Sequence, residues 1–329
     1  MEDFRKLFDS FTSLKVGVIG DLMLDTYLMG RVDRISPEAP VPVVSLEQKD
    51  YRIGGAGNVA LNCVSLGASV TILSVLGKDE EGVKLAGLLD ASGIDTGYLV
   101  HTDKRITTNK MRIISRNQQM LRLDSEVIDD INEQQADLLL QKIDGYIRTV
   151  SPDIIILEDY NKGVLTQGLI PKLISVCKTF GVKVAVDPKR KNFFAYQGVD
   201  IFKPNLKEVK EGLNLLPGPV DIGQLLKIHA ALYDKLNHHV SFITLSEQGV
   251  FYQQEKNASL VPSHLRNVAD VSGAGDTVIA VAAVVYAATQ NVHLMAEIAN
   301  IAGGLVCEQV GTVAIDKEKL LQECELLLS

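Results

Sequence analysis

Only four cysteines, Cys63, Cys177, Cys307 and Cys324, occur in 329 residues, and no two form a C-x-x-C pair. That spacing excludes a metal or disulfide framework and leaves buried thiols in a reducing compartment. The six histidines include no H-E-x-x-H; His238-His239 reads as a helix end, not a ligand pair. A basic run is also missing and the net charge is -8, which argues against nucleic acid or an anionic membrane as main partner. The first residues, Met1-Glu2-Asp3-Phe4-Arg5-Lys6, lack an apolar signal core, and no run approaches a membrane span. Without a leader the sequon at Asn257-Ala258-Ser259 is a chance match, and the expected location is the cytoplasm.

Repeats, low-complexity tracts and linkers are absent as well. What remains is ordinary globular composition, 46% hydrophobic and 22% charged. The length suggests about two average domains, although α/β folds of this size are often single. A chain this long buries roughly 75% of its unfolded surface and needs no staples.

An apolar strand at 15–20 ends in Asp21. Residues 31–42 carry three prolines and little periodicity, and 41–46 alternates as an exposed strand does. Residues 54–66 are glycine-rich and then helical, 70–76 is a buried strand, and 80–91 a helix. Residues 97–124 alternate and are studded with Arg and Lys, as in a half-exposed antiparallel sheet. From 132 onward helices (132–150, 168–180) alternate with strands (153–157, 182–186, 200–202, 240–245), and helices near 273–289, 294–309 and 317–328 close the chain. That rhythm predicts a parallel sheet covered on both faces, with ligands beyond the carboxyl ends of its strands. Asp21, Asp159, Asp187, Asn205 and Ser246 sit at those ends.

The most telling stretch is Asp270-Val271-Ser272-Gly273-Ala274-Gly275-Asp276, followed by an apolar run long enough for a buried helix. A glycine turn feeding a helix leaves backbone N–H groups free at the positive end of the dipole, a natural anion site. Asp276 then has two readings: a first-turn acid favoured by the dipole, or a general base beside a transferring phosphoryl group. A competing motif, Gly55-Ala56-Gly57-Asn58-Val59-Ala60, matches the relaxed dinucleotide fingerprint G-x-G-x-x-A, with Asp79 about twenty residues on. It fails on context, because no buried strand precedes its first glycine. The glycines more simply let backbone approach a polar ligand, with Asn58 as a bifunctional hydrogen-bonding group. Neither a Walker A motif nor the protein-kinase motif set occurs.

Gly54-Gly55-Ala56-Gly57-Asn58 early and Asp270 to Asp276 late resemble the two signatures of the ribokinase-type (PfkB) carbohydrate kinases. Several further stretches narrow the likeness to D-glycero-β-D-manno-heptose-7-phosphate kinases. They are Gly20-Asp21-Leu22-Met23-Leu24-Asp25, Arg34 to Val43, Ser115-Arg116-Asn117-Gln118-Gln119, Arg122-Leu123-Asp124, Asp159-Tyr160-Asn161-Lys162-Gly163 and Ser246-Glu247-Gln248-Gly249. The similarity runs from about residue 10 to the C-terminus.

The resemblance implies a single ribokinase-like α/β domain over 1–329, with a mostly parallel central sheet and a small β lid from about 25–48 and 97–124. It places Asp276 on the catalytic base and Gly273, Ala274 and Gly275 on the anion hole. Asp21 and Asn58 fall on sugar-hydroxyl positions, with Gly54 and Gly55 allowing close approach. Asn205 and Glu208 match an N-x-x-E pattern tied to Mg2+ and the triphosphate; Lys189 is placed near the phosphates, and Ser246, Gly249 and Asn300 on the nucleotide side. Candidates for a sugar 7-phosphate are Arg122 and Lys162, with Lys110, Arg112 and Arg116 beside them.

Plainer readings stand alongside. Asp21 can merely cap a loop, Asn205 to Glu208 is also an ordinary helix start, Lys189 can belong to a strand-end turn, and each lid cation can be a solvated charge. The implied reaction is ATP- and Mg2+-dependent phosphorylation of the anomeric hydroxyl of the heptose 7-phosphate, with a monovalent cation as a further cofactor and a homodimer as the assembly. The alternatives are another PfkB-type sugar or nucleoside kinase and, more remotely, a non-catalytic sugar- or nucleotide-binding protein. The late signature departs from the common D-T-x-G-A-G-D at Val271, which leaves the charge-handling residues intact. No part of a nucleotidyltransferase motif occurs, so adenylylation is not expected of this chain.

Overall fold

The computed structural model describes residues 3–328 except 117, 217, 219 and 265; Asn117, part of one matched stretch, lies outside the described residues. Eight strands form the main sheet in the order Asn257–Val261, Val250–Gln254, Val240–Thr244, Ile201–Phe202, Lys183–Asp187, Ile154–Glu158, Lys15–Gly20, Ser69–Leu73. The last six run parallel, while the first two close one edge as an antiparallel hairpin.

The parallel strands read as unbroken apolar runs because both faces are covered. Along Ile154–Glu158 successive side chains turn to opposite sides. Ile154 and Ile156 join Val16, Val18 and the helices Ala56–Ser65, Ala274–Thr289 and Val292–Val306. Ile155 and Leu157 meet the helices Glu133–Val150, Leu169–Thr179 and Ile222–Leu236. Ala274–Thr289 is apolar nearly all round, and residues 276–286 are buried without a break, as expected of a helix inside a core.

A second sheet has the order Pro42–Gly55, Leu22–Ile35, Thr108–Ser115, Gln118–Ser125. The sequence locates it at 25–48 and 97–124, but its strands extend over 22–55 and 108–125. The prolines hide the first hairpin: Pro37 and Pro40 lie in the connection, where Ser36 N–H donates to Val41 O at 2.8 Å, and Pro42 opens a strand, a position that needs no ladder donor. Residues 100–102 pair instead with Val75–Gly77. The expected 70–76 strand divides at Ser74, whose hydroxyl donates to Gly20 O at 2.6 Å. The strand Pro42–Gly55 does run straight into the helix at Ala56, but it is an antiparallel strand of the second sheet and becomes buried only at Ile53. The dinucleotide reading therefore fails as expected, because the strand before the glycine is not a buried strand of the parallel sheet. His238 follows a helix that ends at Leu236.

Candidate active site

The carboxyl ends of the parallel strands converge on the first turn of Ala274–Thr289. Gly273 adopts φ 79° as it opens that helix, a left-handed conformation suited to glycine. Asp276 is 5% exposed. Asn58 Nδ2 donates to its Oδ2 at 2.7 Å and the Tyr160 hydroxyl donates to its Oδ1 at 2.6 Å. Burial pushes the Asp276 pKa up, while these two donors pull it back. The two glycine motifs thus meet in space, and a Cβ on Gly273 would lie 3.0 Å from Asn58 Nδ2. Asn58 Oδ1 is buried with no hydrogen-bond partner. Val271 is 68% exposed, so the departure from the common signature falls on the surface.

Asp21 is engaged by backbone on both oxygens. Its Oδ2 accepts from the backbone N–H groups of Tyr160 (2.8 Å) and Lys162 (3.0 Å), and its Oδ1 from that of Val164 (3.0 Å). Only 1% exposed, this carboxylate shapes the 160–164 loop, which is the plainer loop-capping reading. Asp25, four residues on, is the acid beside the glycines: its Oδ2 lies 2.4 Å from where a Cβ on Gly54 would stand. Arg112 Nη1 is 2.5 Å from the other oxygen. A period-two reading of Leu22–Ile35 could have singled out Asp25, which lies at the start of the expected lid.

A chain of buried charges continues from Asp276. Lys203 Nζ is 2.6 Å from Asp187 Oδ2 and 3.4 Å from Gly275 O. Lys189 Nζ bridges Asp187 Oδ1 (3.2 Å) and Glu208 Oε1 (2.8 Å). Burial opposes ionisation of Asp187, but the two ammonium groups hold its carboxyl below the usual range. Asn205 and Glu208 form a reciprocal capping box, at 2.9 and 2.8 Å. Lys203 and Glu158 escaped sequence reasoning. Glu158 is fully buried, neither of its oxygens has a partner, and burial followed by Asp187 and Asp276 pushes its pKa well up. Its only signal in the sequence was an acid at the end of an apolar strand.

Around Tyr160, Lys110 Nζ and Lys189 Nζ stand 5.9 and 5.6 Å from the ring centroid. Burial lowers the Lys110 pKa, and Lys162 lowers it further. Lys162 itself is 2.7 Å from Glu126. Arg122 is not gathered in: it lies on the exposed outer strand and pairs with Asp124 at 2.9 and 3.0 Å. Arg116 is likewise on the surface, 3.9 Å from Asp33. At the far end, Asn300 Nδ2 donates to Pro262 O at 2.8 Å. Gly249, at φ 92°, packs where a Cβ would strike Val261 O at 2.1 Å, and its N–H donates to Ser246 O at 3.1 Å. Gly249 and Asn300 therefore share the 261–263 segment, and Ser246 joins it through Gly249. Among the described residues no group of three His, Cys, Asp or Glu is placed to hold a metal, and no helix is long and apolar enough to cross a membrane.

Residues 13–319 match the family described as pfkB family carbohydrate kinase. The chain belongs to this family. It is therefore a carbohydrate kinase, a phosphotransferase with an alcohol group as acceptor. It is 41% identical over 305 residues to the "Bifunctional protein HldE" of Aliarcobacter butzleri, covering 93% of this chain and 63% of that protein. A protein of the same name from Desulfatibacillum aliphaticivorans is 39% identical over 313 residues, covering 94% and 63%. The chain thus spans less than two thirds of the length of these curated relatives.

Solved structures of the same fold include phosphofructokinase-2 from Escherichia coli in complex with potassium, with TM-score 0.77, 18% identity and coverage of 95% of this chain and 99% of that one. Ribokinase from Arabidopsis thaliana complexed with ribose and ATP gives TM-score 0.70 at 17% identity, covering 94% and 99%. At such identities the likeness concerns the fold, which is ribokinase-like.

Proposed function

We propose that this pfkB family kinase transfers the γ-phosphoryl of ATP to the anomeric hydroxyl of D-glycero-β-D-manno-heptose 7-phosphate, giving the 1,7-bisphosphate on the way to ADP-heptose for lipopolysaccharide core. The observation that carries this reading is Lys110, whose Nζ stands 5.9 Å from the Tyr160 ring centroid. Burial, and then the charge of Lys162, push the Lys110 pKa down, and the Tyr160 hydroxyl donates to Asp276 at 2.6 Å. A partly buried ammonium group near the reacting end suits an acceptor that already bears a phosphate; ribose or a nucleoside would not need it.

In this reading Asp276 takes the proton of the attacking hydroxyl as the oxygen–phosphorus bond forms. The backbone N–H groups around Gly273, Ala274 and Gly275 meet the charge on the moving phosphoryl, and Lys203 and Lys189 offset the growing negative charge behind them. Asn58, with its partnerless buried oxygen, and Asp25 receive sugar hydroxyls across Gly54 and Gly55, while Asp21 holds the loop beneath. Ser246, Gly249 and Asn300 line the nucleotide side. The donor set fits Mg2+, which uses one or two carboxylates and completes its shell with water and substrate phosphates. Glu208, with Asn205 beside it, would hold the ion through water, and the ion would neutralise charge on the triphosphate.

The chain is read as one kinase domain whose lid is the second sheet; adenylyl transfer is not assigned to it. A cytoplasmic homodimer suits the outer strand Gln118–Ser125, which is exposed along its length. The test is an ADP-release screen over heptose 7-phosphate, fructose 6-phosphate, ribose and adenosine. Preference for an unphosphorylated acceptor would overturn the substrate, and no turnover with any acceptor would overturn the mechanism.

A further inference from the structure

Among the described residues Tyr160 is the phenol that hydrogen-bonds to Asp276, and the loop that carries it is pinned at several points. Asp21 accepts three of its backbone N–H groups, including that of Tyr160 itself at 2.8 Å. Asp159 Oδ1 accepts from the Asn161 N–H at 2.8 Å, while its Oδ2 accepts from the buried Tyr196 hydroxyl at 2.7 Å. Gly163, at φ 87°, fits where a Cβ would strike Asp129 O at 2.1 Å. A loop so constrained delivers the phenol as a fixed arm. With Asn58 on Oδ2 and Tyr160 on Oδ1, the carboxylate of Asp276 cannot rotate without breaking a bond on each side.

We propose that Tyr160 is a positioning residue for phosphoryl transfer: its hydroxyl, with the Asn58 amide, fixes the Asp276 carboxylate in the orientation from which it takes the acceptor proton. The inference rests on Asp276 being the base. Each carboxylate oxygen has two acceptor sites, so both donors leave room for the incoming hydroxyl. A freely turning carboxylate would have to be aligned anew in each cycle, a cost that positioning removes beforehand.

The arrangement also addresses an electrostatic difficulty. Burial, and the negative charge of Asp187, favour a protonated Asp276, which is no base. The groups facing it are Tyr160, Asn58, Lys203, Asp187 and Glu158. Of these, Tyr160, Asn58 and Lys203 favour the ionised form, and only Tyr160 and Asn58 bond to the carboxylate. Loss of the phenol therefore has a signature distinct from loss of packing.

The test is Tyr160→Phe in the full chain, assayed with whichever acceptor the wild type turns over fastest. The expected result is a fall in kcat on the order of 10²-fold, the scale of a small misplacement of a reacting group. ATP affinity should be unchanged, and the acid limb of the kcat–pH profile should move to higher pH. A near wild-type kcat, or a loss with an unmoved acid limb, overturns the inference. Should the variant not fold, 3-fluorotyrosine incorporated at Tyr160 retains the ring and strengthens the donor. It should move the acid limb to lower pH, and an unmoved limb again overturns the inference. Asp276→Asn separates the two levels: if it stays active the base reading fails, whereas an inactive Asp276→Asn with a normal Tyr160→Phe removes only the positioning role.

Discussion

Lys203 Nζ lies 2.6 Å from Asp187 Oδ2, and both side chains are almost wholly removed from solvent. Such a pair costs much to assemble and more to break, because the surviving charge is left without its partner. Lys203→Met should lower the unfolding free energy by about 3 kcal/mol, the lower end of the range for breaking a buried pair, since Lys189 still contacts Asp187 at 3.2 Å. Urea denaturation measures this. The double variant with Asp187→Asn should recover part of the loss, and additive losses would contradict the pairing.

Asp276→Asn keeps the shape and removes the base. Turnover should fall by about 10²- to 10⁴-fold, the span of general base catalysis, while ATP binding measured by calorimetry stays as in the wild type.

Lys110, beside Tyr160, predicts a split between substrates. Lys110→Met should raise KM for a phosphorylated acceptor by about 10- to 100-fold, the equivalent of a lost charge-assisted hydrogen bond, without changing KM for ATP. Arg122→Met, which removes a cation paired on the exposed strand, should change neither. Steady-state kinetics with each substrate varied in turn decides both.

Acid stability should depend on His238. It is 1% exposed, its Nε2 lies 2.6 Å from Ser241 Oγ, and burial, followed by His229 and His239, pushes its pKa down to about 3. Between that value and the unfolded value of about 6.5 the unfolded chain binds the extra proton. The contribution is therefore intact above pH about 6.5 and declines as pH falls through that window. His238→Phe should flatten the fall, as read from denaturation midpoints between pH 7 and pH 4.

Gly54→Ala would drive a methyl against Asp25 Oδ2, 2.4 Å from the ideal Cβ position. The expected result is weaker acceptor binding with ATP affinity retained, again readable from separate KM values.

Much of the fold was legible because the physics is local. Runs such as Ile154–Glu158 advertise burial on both faces, and the unbroken apolar helix after Asp276 advertises a core position. The paired glycine motifs gave the family and the Asp276–Asn58 meeting point. Less legible were groups whose role depends on a distant partner. Asp21 and Asp25 are both acids in one short stretch, and only the fold tells which one is consumed by backbone N–H groups. Lys203 sits beside an ordinary two-residue strand, and its burial follows from Asp187 on the neighbouring strand. Asn62 gave no signal either. Its Oδ1 accepts from Thr277 Oγ1 at 3.1 Å and Ile315 N–H at 2.9 Å, and its Nδ2 donates to Asn58 O at 2.8 Å, joining segments far apart in the chain. The long hairpin was obscured by its prolines, which sit where they do no harm to the ladder.

The joins of that hairpin have a mechanical consequence. The strand Lys15–Gly20 passes through Asp21 alone into Leu22–Ile35, and Pro42–Gly55 passes directly into the helix that carries Asn58. The first hairpin is thus clamped to the body at both roots with no slack. The second hairpin hangs on longer connections, residues 103–107 and 126–132. A displacement of the first hairpin is therefore felt at once by the helix that carries Asn58, whereas the second hairpin reaches the body through anchors of its own, such as the Thr107 N–H on Asp79 at 2.7 Å.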